Sequence, residues 1–116
     1  MDANITKALR KRIYARDGYR CALCDCTDGL QIHHFFPRGM GGSDNPSNLI
    51  TLCWRCHALA HGLDVLSMKD RATFDYYWQC QQDEMAEYLS GIYKDWPNDV
   101  YSPHTKYTVI KEYKDK

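Results

Sequence analysis

Apolar positions near the start of the chain fall at helical intervals. Ile5, Leu9 and Ile13 form one stripe through NITKALRKRIYAR, residues 4–16, with basic side chains around it, and this predicts a short amphipathic helix. The pattern breaks at Asp17-Gly18, a strong turn signal. Leu30 to His34 alternates apolar and polar residues and predicts a short strand, and the β-branched run NLITL, residues 48–52, predicts a second. Between them Gly39, Gly41, Gly42 and Pro46 mark a loop. WRCHALAHG, residues 54–62, predicts a short helix closed by Gly62. Beyond Gly62 the character changes. Ser67 with Asp70 reads as a capping box, and Phe74, Tyr77, Trp78, Met85, Tyr88, Leu89 and Ile92 recur at helical spacing. One long or one broken helix is expected there, packing its aromatic stripe back on the first half as core. Residues 97–116, with Pro97 and Pro103, read as a tail holding a short strand at YTVIKEY.

Composition narrows this picture. A chain of 116 residues supports one compact domain with an appended element. No apolar run is long enough to span a membrane, and MDANITKALRKR lacks the apolar core of a secretory signal, so a cytoplasmic location is expected. Six cysteines are many for this length. Cys21/Cys24 and Cys53/Cys56 form two C-x2-C pairs whose spacing lets four thiolates converge on one tetrahedral zinc, and reduced cytoplasmic thiols favour metal over disulfides. Cys26 is a turn residue or a competing thiol, and Cys80 is expected as a buried small hydrophobe.

The charge is zero overall but unevenly placed. Residues 1–62 hold eight Lys/Arg against five Asp/Glu, a balance of +3, and residues 63–116 hold seven against ten, a balance of −3. Lys7, Arg10, Lys11, Arg12, Arg16 and Arg20 face only Asp2 and Asp17 in the first twenty residues. Such a local basic arm is compatible with DNA, the alternative being a solvated helix face.

Four histidines lie in one window, and histidine is costly to bury without partners. His57 and His61 are four apart on the predicted helix, hence on one face, and can point two imidazoles at one ion. His33 and His34 are neighbours on a strand, so their side chains point to opposite faces. One can bind metal while the other faces substrate.

In the order Cys21-x2-Cys24, His33-His34, Gly41-Gly42, Asn48-Leu49, Cys53-x2-Cys56-His57, with RDGYRC before the first knuckle, the chain resembles HNH endonucleases of the ββα-metal superfamily. The likeness is to the branch with a four-cysteine zinc, of phage or mobile-element type, and covers about residues 10–62. The fold implied is α+β: a ββα-metal core, a short β-hairpin plus helix stapled by the zinc, with an N-terminal helix and a helical C-terminal extension. Residues 1–62 would form the nuclease core, and residues 63–116 an acidic, aromatic extension and tail packing on it.

The resemblance also implies roles. His34 matches the general base that deprotonates the attacking water, and Asn48 the residue that holds loop and base. His57 matches the last letter of the motif and is a metal ligand. His33 fills the preceding ligand position, and His61 matches the additional ligand of colicin-type nucleases, its alternative being a solvent-facing residue. Cys21, Cys24, Cys53 and Cys56 would hold a structural Zn2+. Arg10, Lys11, Arg12, Arg16, Arg38 and Arg55 are the candidate phosphate contacts, against an ordinary surface role.

The implied activity is metal-dependent hydrolysis of DNA phosphodiesters, by nicking or with little sequence preference, leaving a 5′-phosphate and a 3′-hydroxyl. One catalytic divalent ion is needed, Mn2+, Ni2+, Co2+, Zn2+ or Mg2+. Many relatives have aspartate where this chain has His33, and an all-imidazole set favours transition metals over magnesium. Free-standing relatives often belong to phages and can act beside a packaging terminase, which makes a terminase a candidate partner. The competing reading is a zinc-stapled nucleic-acid- or protein-binding module that has lost catalysis. A third gives the acidic half a separate job, docking a partner or covering the basic cleft.

Overall fold

The computed structural model describes residues 5–63 and 70–100; Ser67, His104 and the strand expected at YTVIKEY lie outside them. The architecture is α+β, with helix α1 (Lys7–Arg16), a hairpin of β1 (Gln31–His34) and β2 (Leu49–Leu52), helix α2 (Trp54–Ala60) and helix α3 (Arg71–Ile92). Single 3-10 turns lie at Arg38–Met40, Pro46–Asn48 and Asn98–Val100.

The N-terminal helix starts later than its apolar stripe suggests because Thr6 caps it, its hydroxyl accepting from Leu9 N–H at 3.0 Å. Helix α3 is one unbroken segment of 22 residues, capped by the Asp70 carboxylate, which accepts from Thr73 N–H at 2.7 Å. The predicted strands shorten to four residues each and pair antiparallel, Gln31 opposite Leu52, Ile32 opposite Thr51, His33 opposite Ile50 and His34 opposite Leu49.

This register sorts the hairpin into two faces, since directly opposed residues share a side. Ile32 and Leu49 pack with Ile5 and Ile13, joined by Leu9 and Tyr14 of α1. Ile50 and Leu52 pack with Cys21, Cys53 and the Met85 and Leu89 side chains of α3. Full burial of side chains such as Met85 and Leu89 stabilises by about 1.5–3 kcal/mol each, which is what docks α3. Two polar ties fix that docking, Trp78 Nε1 donating to Ala60 O at 3.2 Å and Gln81 Nε2 to Cys56 O at 2.8 Å.

The aromatic stripe of α3 is narrower than expected. Phe74, Gln81, Met85 and Leu89 are buried and Trp78 and Tyr88 half-buried, whereas Tyr77 and Ile92 are exposed. Tyr77 lies beyond the buried edge and meets Tyr76 edge to face, and Ile92 ends the helix. Cys80, expected in the core, is only half-buried on the same helix.

Candidate metal centres and active site

The first cysteine pair sits on a tight knuckle. Asp25, with φ of 65°, turns the chain so that Cys21 N–H donates to Cys26 O at 2.8 Å and Asp25 N–H to Cys21 O at 3.0 Å. Ala22 N–H then donates to Thr51 O at 2.9 Å, which hangs the knuckle on the outer edge of β2. The second pair opens α2, Cys53 at its N-cap and Cys56 in its first turn.

These elements bring Cys21, Cys24, Cys53 and Cys56 together with all sulfurs within 4.8 Å of one another. Cys24 Sγ lies 3.6 Å from Cys53 Sγ and 3.8 Å from Cys56 Sγ. A tetrahedron of thiolates about 2.3 Å from a zinc ion has an edge of roughly 3.8 Å, so the donors fit such an ion. Cys26 stands outside the group and packs on the core. Without a cation Cys21, Cys24 and Cys56 compete for charge. The Cys56 thiol draws Cys21 down to about 4, and Cys56 rises through its hydrogen bond to Cys21 and its burial. Cys24 is pushed up to about 11, mainly by burial.

A second cluster forms between β1 and α2. His33 points from β1 toward the helix and meets His57 and His61 edge-on, with ring centroids 5.2 and 5.0 Å away. His57 Nε2 and His61 Nε2 are 3.1 Å apart, and one nitrogen from each of the three lies within 4.8 Å of the others. His33 and His57 are buried while His61 is exposed, so the cluster opens outward at His61. The spacing of four on α2 and the strand alternation at His33 bring the three together, and the donor set fits one divalent ion.

His34 lies on the opposite face of β1 and does not face open solvent, being 2% exposed. Its Nε2 pairs with Asp44 Oδ1 at 2.8 Å, and Arg38 Nε approaches the same oxygen at 3.3 Å. Asn48 ties the loop between the strands: its Oδ1 accepts from Phe36 N–H at 2.8 Å, and its Nδ2 donates to Phe36 O at 3.0 Å and Ser43 O at 2.8 Å.

Gly42 allows this loop to close, because a Cβ there would stand 1.8 Å from Phe36 O. Gly42→Ala is therefore expected to destabilise the chain by about 3 kcal/mol or more, read by urea unfolding of the metal-loaded protein. A change below about 1 kcal/mol would show that the loop can open at little cost.

The match to a known family falls on these same residues. A model of the HNH endonuclease family matches residues 21–62, which contain both clusters, His34 and Asn48. Anaredoxin of Nostoc sp. is 32% identical over 53 residues, 45% of this chain and 70% of its own length. The chain belongs to the HNH endonuclease family. Probable mobile endonuclease C of Enterobacteria phage T4 is 34% identical to this HNH chain over 65 residues, 56% of this chain. The match spans only 30% of the phage protein's length. No solved structure matches significantly.

The basic residues divide into two kinds in this HNH scaffold. Lys11, Arg12, Arg38 and Arg55 are exposed and Arg10 is half-buried. Arg55 lies over the exposed Trp54 ring, 5.6 Å from its centroid. Arg16 is different, for its guanidinium is spent inside the molecule. It donates to Asp17, to the Tyr93 hydroxyl and to the carbonyls of Pro46 and Leu49. The basic run in the sequence hides this, and the adjacent Asp17 is its one local signal. Asp44, the partner of His34, is the functional candidate that residue order does not announce; it sits unremarked in GGSDNP. No helix among the described residues is long and apolar enough to cross a membrane.

Proposed function

We propose that this chain is a metal-dependent DNA endonuclease that nicks one strand per visit, stapled by a structural zinc on Cys21, Cys24, Cys53 and Cys56. The observation that carries the reading is the convergence of His33, His57 and His61 on one point while the adjacent His34 is held by a carboxylate. The T4 relative is named a probable mobile endonuclease and supports the same class.

In this reading His33, His57 and His61 hold a divalent ion, which when bound neutralises charge on the phosphate and on the departing oxygen. Neutral His34 takes a proton from water at its ring nitrogen, and the water oxygen forms the new bond to phosphorus. The bond from phosphorus to the 3′ oxygen breaks, its electron pair leaves with that oxygen and is protonated, and a 5′-phosphate and 3′-hydroxyl result. Asn48 pins the loop that shapes this site. Lys11, Arg12, Arg38 and Arg55 supply exposed charge for the phosphate backbone, and Arg10 adds to it; Arg16 is left out. Residues 1–62 serve as the nuclease core and residues 63–116 as the acidic extension.

One observation favours a second reading, a binding module on an HNH scaffold: His34 is 2% exposed, so water and substrate reach it only if its surroundings move. Metal dependence separates the two. Conversion of supercoiled plasmid to nicked circle is expected with manganese, nickel or cobalt at a rate at least equal to that with magnesium, because the three ligands are uncharged imidazoles. Chelator is expected to stop it. Two metals per chain support the enzyme, whereas one thiolate-bound zinc with no nicking in any metal supports the module. A strict magnesium requirement would contradict the all-imidazole site.

A further inference from the structure

We propose that Asp44 is a positioning residue for His34, fixing the imidazole as the tautomer protonated on Nε2. The inference rests on the reading of His34 as general base. It adds a carboxylate and histidine pair to that reading.

The geometry begins with the loop. Asp44 lies between two residues whose backbone is held from several directions. Ser43 N–H donates to Val100 O at 2.8 Å, and Ser43 O accepts from Asn48 Nδ2 at 2.8 Å. On the other side Asn45 N–H donates to the Ser43 hydroxyl at 3.3 Å. Just before it, Gly42 N–H donates to Pro37 O at 2.9 Å in the close approach that excludes a side chain at 42. The Asp44 carboxylate therefore leaves a backbone with little freedom.

From that anchor Asp44 Oδ1 reaches His34 Nε2 at 2.8 Å, a full hydrogen bond. A carboxylate only accepts, so the bond requires hydrogen on Nε2 and leaves the neutral ring's lone pair on Nδ1. Arg38 Nε, 3.3 Å from the same oxygen, keeps the carboxylate turned toward the ring. His34 itself is fixed by strand pairing with Leu49 and by burial, so ring orientation is set at both ends. Asn48 acts on the base through this chain of contacts, by way of Ser43 and Asp44. An orienting carboxylate behind a histidine base also stabilises the imidazolium as the proton arrives.

The experiment compares wild type, Asp44→Ala, Asp44→Asn and His34→Ala, all zinc-loaded, in two readouts. Long-range proton–nitrogen correlation, recorded above the imidazole titration range, reads the tautomer of His34 without reference to activity. Wild type is expected to show the Nε2-protonated form with a deshielded Nε2 proton, and Asp44→Ala to lose that deshielding. Plasmid nicking is expected to show kcat reduced by at least about tenfold in Asp44→Ala with KM little changed. Asp44→Asn, which keeps an accepting oxygen without the charge, is expected to fall between. A wild-type ring protonated on Nδ1, or an Asp44→Ala enzyme with wild-type kcat, overturns the proposal. If wild type fails to nick in any metal, the nuclease reading fails, and the nitrogen spectrum still decides the Asp44 pairing.

Discussion

Replacing Cys53 by serine is expected to cost the chain one metal ion and its cooperative unfolding transition. Cys53 is fully buried, packs in the cluster of Ile50, Leu52, Met85 and Leu89, and starts α2 at its N-cap. Its sulfur is 3.6 Å from Cys24 Sγ, so one ligand joins the first knuckle, the hairpin's end and the helix that carries His57. Structural zinc in small domains contributes apparent binding free energies of about 10–16 kcal/mol, as large as a typical domain's whole stability, so losing a thiolate ligand unfolds rather than loosens. Cys26→Ser is the control, since Cys26 lies outside the cluster. Metal content per chain together with thermal unfolding checks this. A Cys53→Ser protein that keeps its metal and its transition would show that the sulfurs cluster without binding.

The second large effect is expected at Asp17. Its side chain is fully enclosed, and its two oxygens take up Arg16 Nε at 2.7 Å, Arg16 Nη2 at 2.9 Å, Thr51 N–H at 2.9 Å and the Tyr88 hydroxyl. Arg16 in turn donates to Pro46 O at 2.9 Å and Leu49 O at 2.6 Å, so the pair bonds to the edge of β2 as a third strand would. Tyr88 is pushed up to about 12 by burial and by its bond to Asp17, which marks how fully that carboxylate is engaged. Asp17→Ala strands a guanidinium and a buried N–H, and the expected cost is about 3–5 kcal/mol. Asp17→Asn keeps an acceptor for Thr51 and should cost less. Urea unfolding of the metal-loaded variants measures both, and an Asp17→Ala loss below about 1 kcal/mol would refute the clamp.

These two cases show what can be read from residue order. Cysteine spacing, the histidines four apart on α2 and strand alternation at His33-His34 are local rules; they offer His57, His61 and one of the two strand histidines as ligands, and only the family resemblance picks His33. The hairpin and α2 follow from short runs of the right period. Arg16 reads as part of a basic DNA-binding arm because, apart from the adjacent Asp17, its partners Pro46, Leu49 and Tyr93 lie far along the chain. Asp44 is invisible for a similar reason, since its meaning depends on how Asn48 and Gly42 fold the loop over β1. The exposure of Tyr77 and Ile92 reflects the same limit, because the width of a buried helix face is set by what packs on it.

The central claim is that His34 does chemistry, and the most direct measurement is plasmid nicking by wild type and His34→Ala with matched metal content and matched unfolding curves. Wild type is expected to convert supercoiled plasmid to nicked circle, and the variant to do so slower by about 10²–10⁴-fold. Equal rates in the two proteins would remove His34 from the mechanism and contradict the account.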